Sequence, residues 1–513
     1  MKTESQRPVF QRMIALLLMC VISPAIASAQ SPRETPAENT PPSEKSAEAD
    51  KGKSADQNEA TKAEPRPITA IVGADIHTVT REVIRRGTVL IQDGKILKVG
   101  QGITIPEGST VIDAKGMIVT PGFVSISTRG VGLTGTPSTG QKFADQLDPF
   151  DDNVKIALGV GITTACVQVS GGGGGFRRRR AEDELFPGLD PTLEQLTNVA
   201  VDFNPDFGDP NTSVCQCCGL PILPTEPIEP AAPEPIRPQQ NAVIKMSAGR
   251  LEGMMVSDMV FYHVTPGAFT GALNRHTWRE TIAKARDYLK QQAEHEQKVA
   301  KGEKVPPPRK PVGDDVLALV QNKIALRISS SNVASIRESI DLAKELDYKL
   351  VIESATEGWV IPDELAEAGV SVIITPRNRR QPQFAQENTT GSNIESSKIY
   401  ESYGVQFGIA PLSDSISLNG LAGRDLTSLP LEAAFAVRGG CSEQTALKAL
   451  TIVPATMLGL QDRIGSIEEG KDADLLILNG QPLDYRTYVE TAIVNGHVAY
   501  TRSGDKVFPV YDR

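Results

Sequence analysis

The residues able to do chemistry in this 513-residue chain are few: five histidines, a tight group of cysteines, arginines behind a glycine run, and carboxylates following short apolar runs. His77 and His497 lie in β-rich segments near the two ends, and His295 lies in a charged helical stretch. That leaves His263 in "VFYHVTP" and His276 in "ALNRHTW", thirteen residues apart and outside any recognised ligand motif. A centre built on four histidines cannot be assembled from this set. Glu353 and Glu357 in "LVIESATEG", with Asp414 and Lys245, offer a metal-free acid–base site, with Asp414 and Glu353 the candidates for catalysis. Structural ion pairing is the competing reading of the same charges, and the favoured one. Ser127, Ser329 and Ser354 have no nearby histidine in sequence and no Gly-x-Ser-x-Gly elbow, so small polar filling explains them better than nucleophilic catalysis.

Two loops carry weaker signals. Cys215, Cys217 and Cys218 place three thiolates within four residues, a spacing that can begin a metal site, but no fourth ligand is evident and a local disulfide or crosslink is favoured. Gly171 to Gly175 followed by Arg177 to Arg180 could cradle an anion. The trailing Lys-Ser/Thr of a phosphate loop is missing, so a solvated loop is the simpler reading.

The elements that must position these groups change texture along the chain. Residues 67–118 and the last fifty residues alternate in short β-rich runs, with Asp93-Gly94 and Asn495-Gly496 as hairpin turns. Between them, "NKIALRIS", "SNVASIRESIDLAKELD", "YKLVIES", "TEGWVIPDELAEAG", "VSVIITP" and "VQFGIAP" alternate strand and helix periods. Such alternation predicts a parallel sheet or barrel with its reacting groups at the C-terminal strand ends. The charged stretch "TWRETIAKARDYLKQQAEHEQKVAKGEK" predicts a solvated helix ended by Pro306 to Pro308.

"GMIVTPGF", the βα repeat and "EQTALKALTIVPATMLGLQDRIGSIEEGKDADLLILNGQPL" together resemble the amidohydrolase superfamily, near its imidazolonepropionase-like branch, over about residues 67 to 513 apart from an insertion at about 171–240. The resemblance implies an α/β fold: a distorted (β/α)8 TIM-like barrel spanning 119–463 and a small β-sandwich formed from both terminal segments, 67–118 and 464–513. It also implies one or two divalent metals such as Zn²⁺, held mostly by histidines and activating water for hydrolysis of non-peptide C–N bonds. The family pattern Pro-Gly-apolar-apolar-Asp-x-His-x-His lines up with Pro121, Gly122, Phe123 and Val124, then Ser125, Ser127 and Arg129. Ser329 and Ser354 fall where later strand-end histidines are expected, and the late aspartate falls at Leu412 or, with a two-residue slip, at Asp414. A guanidinium has no free lone pair for a metal. Ser127, Arg129, Ser329 and Ser354 thus mark positions of lost ligands.

Residues 1–29 read as a secretory signal and 30–66, rich in Pro, Ser, Glu and Lys, as a disordered linker, so an exported chain, periplasmic or extracellular, with no transmembrane segment after processing is expected. A net charge of −10 and no basic face argue against nucleic acid. The expected protein is catalytically degenerate and binds a small molecule at the barrel mouth, or assembles as a homo- or hetero-oligomer with an active homologue. The alternative is an active hydrolase of amide or cyclic amide bonds using a non-standard site. No cofactor is expected, with Zn²⁺ entering only if the family site persists in altered form.

Overall fold

The computed structural model describes residues 67–135, 142–168, 238–265, 267–379, 390–416 and 425–507. The signal and linker segments, the Gly171–Arg180 run, and Cys215, Cys217 and Cys218 lie outside the described residues. The fold is mixed α/β.

The described chain opens with β1 (Ile68–Ile76), β2 (Ile84–Gln92), β3 (Lys95–Gly100), β4 (Thr110–Asp113) and β5 (Ile118–Pro121). The middle supplies β6 (Phe123–Thr128), α1 (Asp152–Gly159), β7 (Ile162–Gln168), β8 (Asn241–Lys245), β9 (Met255–Ser257), β10 (Phe261–Val264) and α2 (Ala272–Ala300). It continues with α3 (Asp314–Val320), β11 (Ala325–Ser329), α4 (Val333–Glu345), β12 (Leu350–Glu353), α5 (Pro362–Glu367), β13 (Ser371–Ile374), α6 (Ser396–Tyr403) and β14 (Phe407–Ile409). Near the end come β15 (Leu475–Leu478), β16 (Val489–Val494) and β17 (His497–Thr501).

Strands from both ends share one sheet, ordered β17-β16-β15-β5-β1-β2-β3, with β4 also paired to β1. Two tight turns bend it. Asp93-Gly94 and Asn495-Gly496 all take positive φ (50° and 75°, 49° and 75°), as two-residue hairpins with the twist of their strands require. The turns also touch, since a Cβ on Gly496 would lie 2.7 Å from the Gly94 Cα. Only glycine allows both the φ and the approach. Ile96 N–H donates to Lys471 O (2.9 Å) and Ala473 N–H to Gly94 O (2.8 Å), so the sheet curls around an apolar interior that includes Ile71, Val89, Ile91, Leu475 and Ile477.

The middle forms a parallel sheet, β10-β11-β12-β13-β14, and a second sheet, β6-β7-β8-β9. In the first, His263 pairs with Arg327 and Arg327 with Val351, while Ser329 pairs with Glu353. Partners in register face the same side of a sheet. Alternate residues, among them Val124, Cys166, Val243, Phe261, Val351 and Ile373, build one apolar cluster, and helices cover the opposite faces. The long charged helix departs from the sequence expectation. It begins at Ala272 and ends at Ala300, where Gly302 at φ 85° closes it with Gly302 N–H to Val299 O (2.9 Å) and Glu303 N–H to Lys298 O (3.0 Å). This glycine cap satisfies the last carbonyls before the prolines are reached. Nor is the helix wholly solvated, because Trp278, Ile282 and Ala285 are buried.

Strand direction decides between the two readings of Lys245 in favour of ion pairing. β8 runs antiparallel to β7, with Lys245 opposite Thr164 and Asn241 opposite Gln168. Lys245 therefore ends beside the start of β7, far from the residues that follow the parallel strands. Its ammonium is buried against Asp472 (2.7 Å), Asp474 (2.9 Å) and Asn495 Oδ1 (2.6 Å), and Asp472 also takes Lys95 and Arg463. Lys245 is thus a clamp between the β8 end and the terminal sheet, not a member of an acid–base site. Lys245→Met should cost about 3 kcal/mol in denaturant unfolding, because it takes the lysine ammonium from buried Asp474 and leaves Asp472 with Lys95 and Arg463 alone. Burial opposes ionisation of Asp472, yet Lys245 and its other cations lower its pKa to about 2. A depressed folded pKa stabilises above the unfolded value, so this contribution should fade as pH falls from about 4 to 2.

Candidate functional site at the strand ends

β6 is irregular where it matters. Its register against β7 slips between Ser125 and Thr128, while Ser125 Oγ donates to Ser127 O (2.9 Å) and Thr128 Oγ1 to Ser125 Oγ (2.8 Å). A bulge re-aims the residues that follow it. Here Ser127 Oγ reaches Asp414 Oδ2 at 3.2 Å, Arg129 Nε lies 2.9 Å from the same oxygen, and Arg129 N–H donates to Asp414 O at 2.8 Å. Of the two readings for the late aspartate, Asp414 is the one that faces Ser127 and Arg129. Leu412 is 57% exposed.

The centre of the cluster is Arg327, which the sequence reading did not single out. Its side chain is fully buried. Nε donates to Glu353 Oε2 (3.0 Å), Nη2 to Glu353 Oε1 (2.8 Å) and Nη1 to the Ile126 carbonyl (2.8 Å). A guanidinium offers only donors, so the Gln168 amide is oriented with its oxygen inward, accepting from Nη1 at 2.7 Å and Nη2 at 3.0 Å. All five N–H donors are thereby used, and Phe261 lies beneath the guanidinium at 5.4 Å. The signal available in sequence was an arginine inside an otherwise apolar strand, "ALRIS", since an arginine is almost never fully buried unless paired.

His263 belongs to the same group, because its register partner is Arg327 and its Nε2 lies 3.6 Å from Glu353 Oε2. Among the described residues its Nδ1 is buried without a hydrogen-bond partner. Burial, with Arg327 nearby, lowers its pKa to about 4 against the pull of Glu353, so the ring is neutral at pH 7. Burial also works against the Glu353 carboxylate, but Arg327 carries its pKa below the ordinary value.

The remaining expected positions separate. Ser329 lies beside Glu353 in register, whereas Ser354 is exposed with φ at 56°. Glu357 is buried as a backbone cap: Oε1 accepts from Thr390 N (2.6 Å) and Gly391 N (2.7 Å), and Oε2 from Val333 N (3.2 Å). With every contact directed at amides, it belongs to the loop and to the start of α4. His276 lies on α2 beside Glu280.

The fold defines an α/β protein whose strand ends gather charged groups. The Amidohydrolase family profile matches residues 333–507. An imidazolonepropionase of Thermoplasma acidophilum is 42% identical over 62 residues, 11% of this chain and 15% of that protein. A dihydroorotase of Citrifermentans bemidjiense is 55% identical over 38 residues, 7% and 9% of the two chains. The curated relatives are thus matched over between 9% and 20% of their own length. An amidohydrolase structure from Thermotoga maritima is similar with a TM-score of 0.55 at 23% identity, covering 85% of this chain and 100% of that one. Residues 333–507 thus match the Amidohydrolase family, the short curated matches include imidazolonepropionases, and the fold is similar to that of an amidohydrolase structure.

With His263 neutral when folded and protonated near 6.5 when unfolded, stability should fall as pH drops from about 6.5 to 4. Comparing unfolding free energies across that window in wild type and His263→Phe should show a shallower slope in the variant.

Proposed function

We propose that this chain is a catalytically degenerate amidohydrolase whose strand-end site binds a small molecule or a partner instead of hydrolysing a C–N bond. The two middle sheets are read as one distorted (β/α)8 barrel. Supporting closure, Asn241 accepts from Val260 and Phe261 N–H (3.0 Å each) between the sheets on one side, and Arg129 N–H meets Asp414 O on the other. The curled terminal sheet is read as the small sandwich. Export by the N-terminal segment and assembly with itself or an active homologue belong to the same reading. Among the described residues, no helix is long and apolar enough to cross a membrane.

One observation carries this reading: both carboxylates facing the site already hold an arginine, Glu353 with Arg327 and Asp414 with Arg129. The donors do not fit a divalent cation. Serine hydroxyls are poor zinc ligands beside imidazole, and a guanidinium brings positive charge without a lone pair. Among the described residues, no three of His, Cys, Asp and Glu are grouped to hold a metal.

Elemental analysis of protein purified from its own compartment, with a screen of amides, lactams and dipeptides, tests the proposal. Expected are far less than one metal per chain and no turnover. One or two equivalents of zinc, with activity lost to a chelator, would overturn it. Chelator-insensitive turnover that disappears in Glu353→Gln or Asp414→Asn would favour a metal-free hydrolase.

A further inference from the structure

We infer that Arg327 is a built-in cation, a side chain holding the strand ends together where the superfamily resemblance implies a metal ion. The inference rests on the degenerate-site reading and extends it from missing ligands to the group that replaced the ion.

The acceptors of Arg327 come from three other strands. Ile126 is on β6, Gln168 on β7 and Glu353 on β12, while Arg327 itself is on β11. One planar group therefore ties four strands drawn from both sheets. A bare buried guanidinium would be strongly unfavourable, and it persists here because all its donors and both Glu353 oxygens are matched. The site so formed is shaped for a planar, five-donor cation. Neither a spherical ion nor a lysine ammonium, with three donors, reproduces that pattern.

The experiment is chemical rescue. Arg327→Ala should lower the thermal midpoint by roughly 5 °C or more, since one deletion strips four strands of their shared donor. Guanidinium at tens of millimolar, far below denaturing concentrations, should return at least half of that loss in Arg327→Ala. It should return none in wild type or Arg327→Lys. Sodium and ammonium at matched ionic strength should not substitute. An Arg327→Ala protein as stable as wild type overturns the inference, and so does recovery by sodium, ammonium or zinc in place of guanidinium.

If Arg327→Ala does not fold, Arg327→Met combined with Glu353→Leu decides the matter. Coupled partners predict that the double variant keeps more stability than Glu353→Leu alone, whereas losses that simply add overturn the inference. Stoichiometric zinc in wild-type protein would sink the degenerate-site reading. Failed rescue in zinc-free protein would sink only the role of Arg327.

Discussion

The strand-end site depends on one constraint: a guanidinium taken wholly out of water must find a partner for every N–H. Arg327 meets it with a carboxylate, a backbone carbonyl and an amide oxygen drawn from three strands, so those strands must arrive in one register. The electrostatics follow from that arrangement. Glu353 stays ionised inside the protein because Arg327 offsets the cost of its burial. His263, buried with Arg327 as register partner, stays neutral. The site holds two arginine–carboxylate pairs and an uncharged imidazole.

A second charged staple fastens the other end of the strands, and its chemistry differs for a physical reason. Lys245 is a compact point charge converging on Asp472, Asp474 and Asn495, three acceptors that surround a single atom. Arg327 serves acceptors spread over a plane, which an ammonium cannot span. The stretch "GKDADLLIL" has a definite task here. Its two aspartates neutralise a lysine from a strand more than two hundred residues earlier.

Local features of this fold were legible in the sequence, and long-range ones were not. Asp93-Gly94 and Asn495-Gly496 announce their turns because φ preference is a property of the dipeptide. The strand and helix periods from Ala325 to Ile409 are equally local. The direction of β8 is not, since Val243 and Lys245 alternate identically whether the strand runs parallel or antiparallel, and that direction decides which end Lys245 occupies. Arg327 drew no notice and His263 no role for the same reason: each sits in a strand whose facing residues are set by pairing with distant chain. Gly302 was a readable stop signal, yet the three prolines beyond it were the louder one.

The bulge in β6 separates the strand framework from the side chains it presents. It is held by Ser125, Thr128 and the Ser127 carbonyl, none of which depends on what side chain is aimed at Asp414. Ser127 and Arg129 are thus delivered to the aspartate by the geometry of the bulge. What differs is the nature of the positive charge that meets the carboxylates. A zinc ion brings both charge and a vacant coordination site, and the second of these acidifies a bound water to a pKa near 7. A guanidinium brings the charge and the hydrogen bonds without the vacant site. It can therefore keep Glu353 ionised and the strands in place, but it cannot generate hydroxide from water.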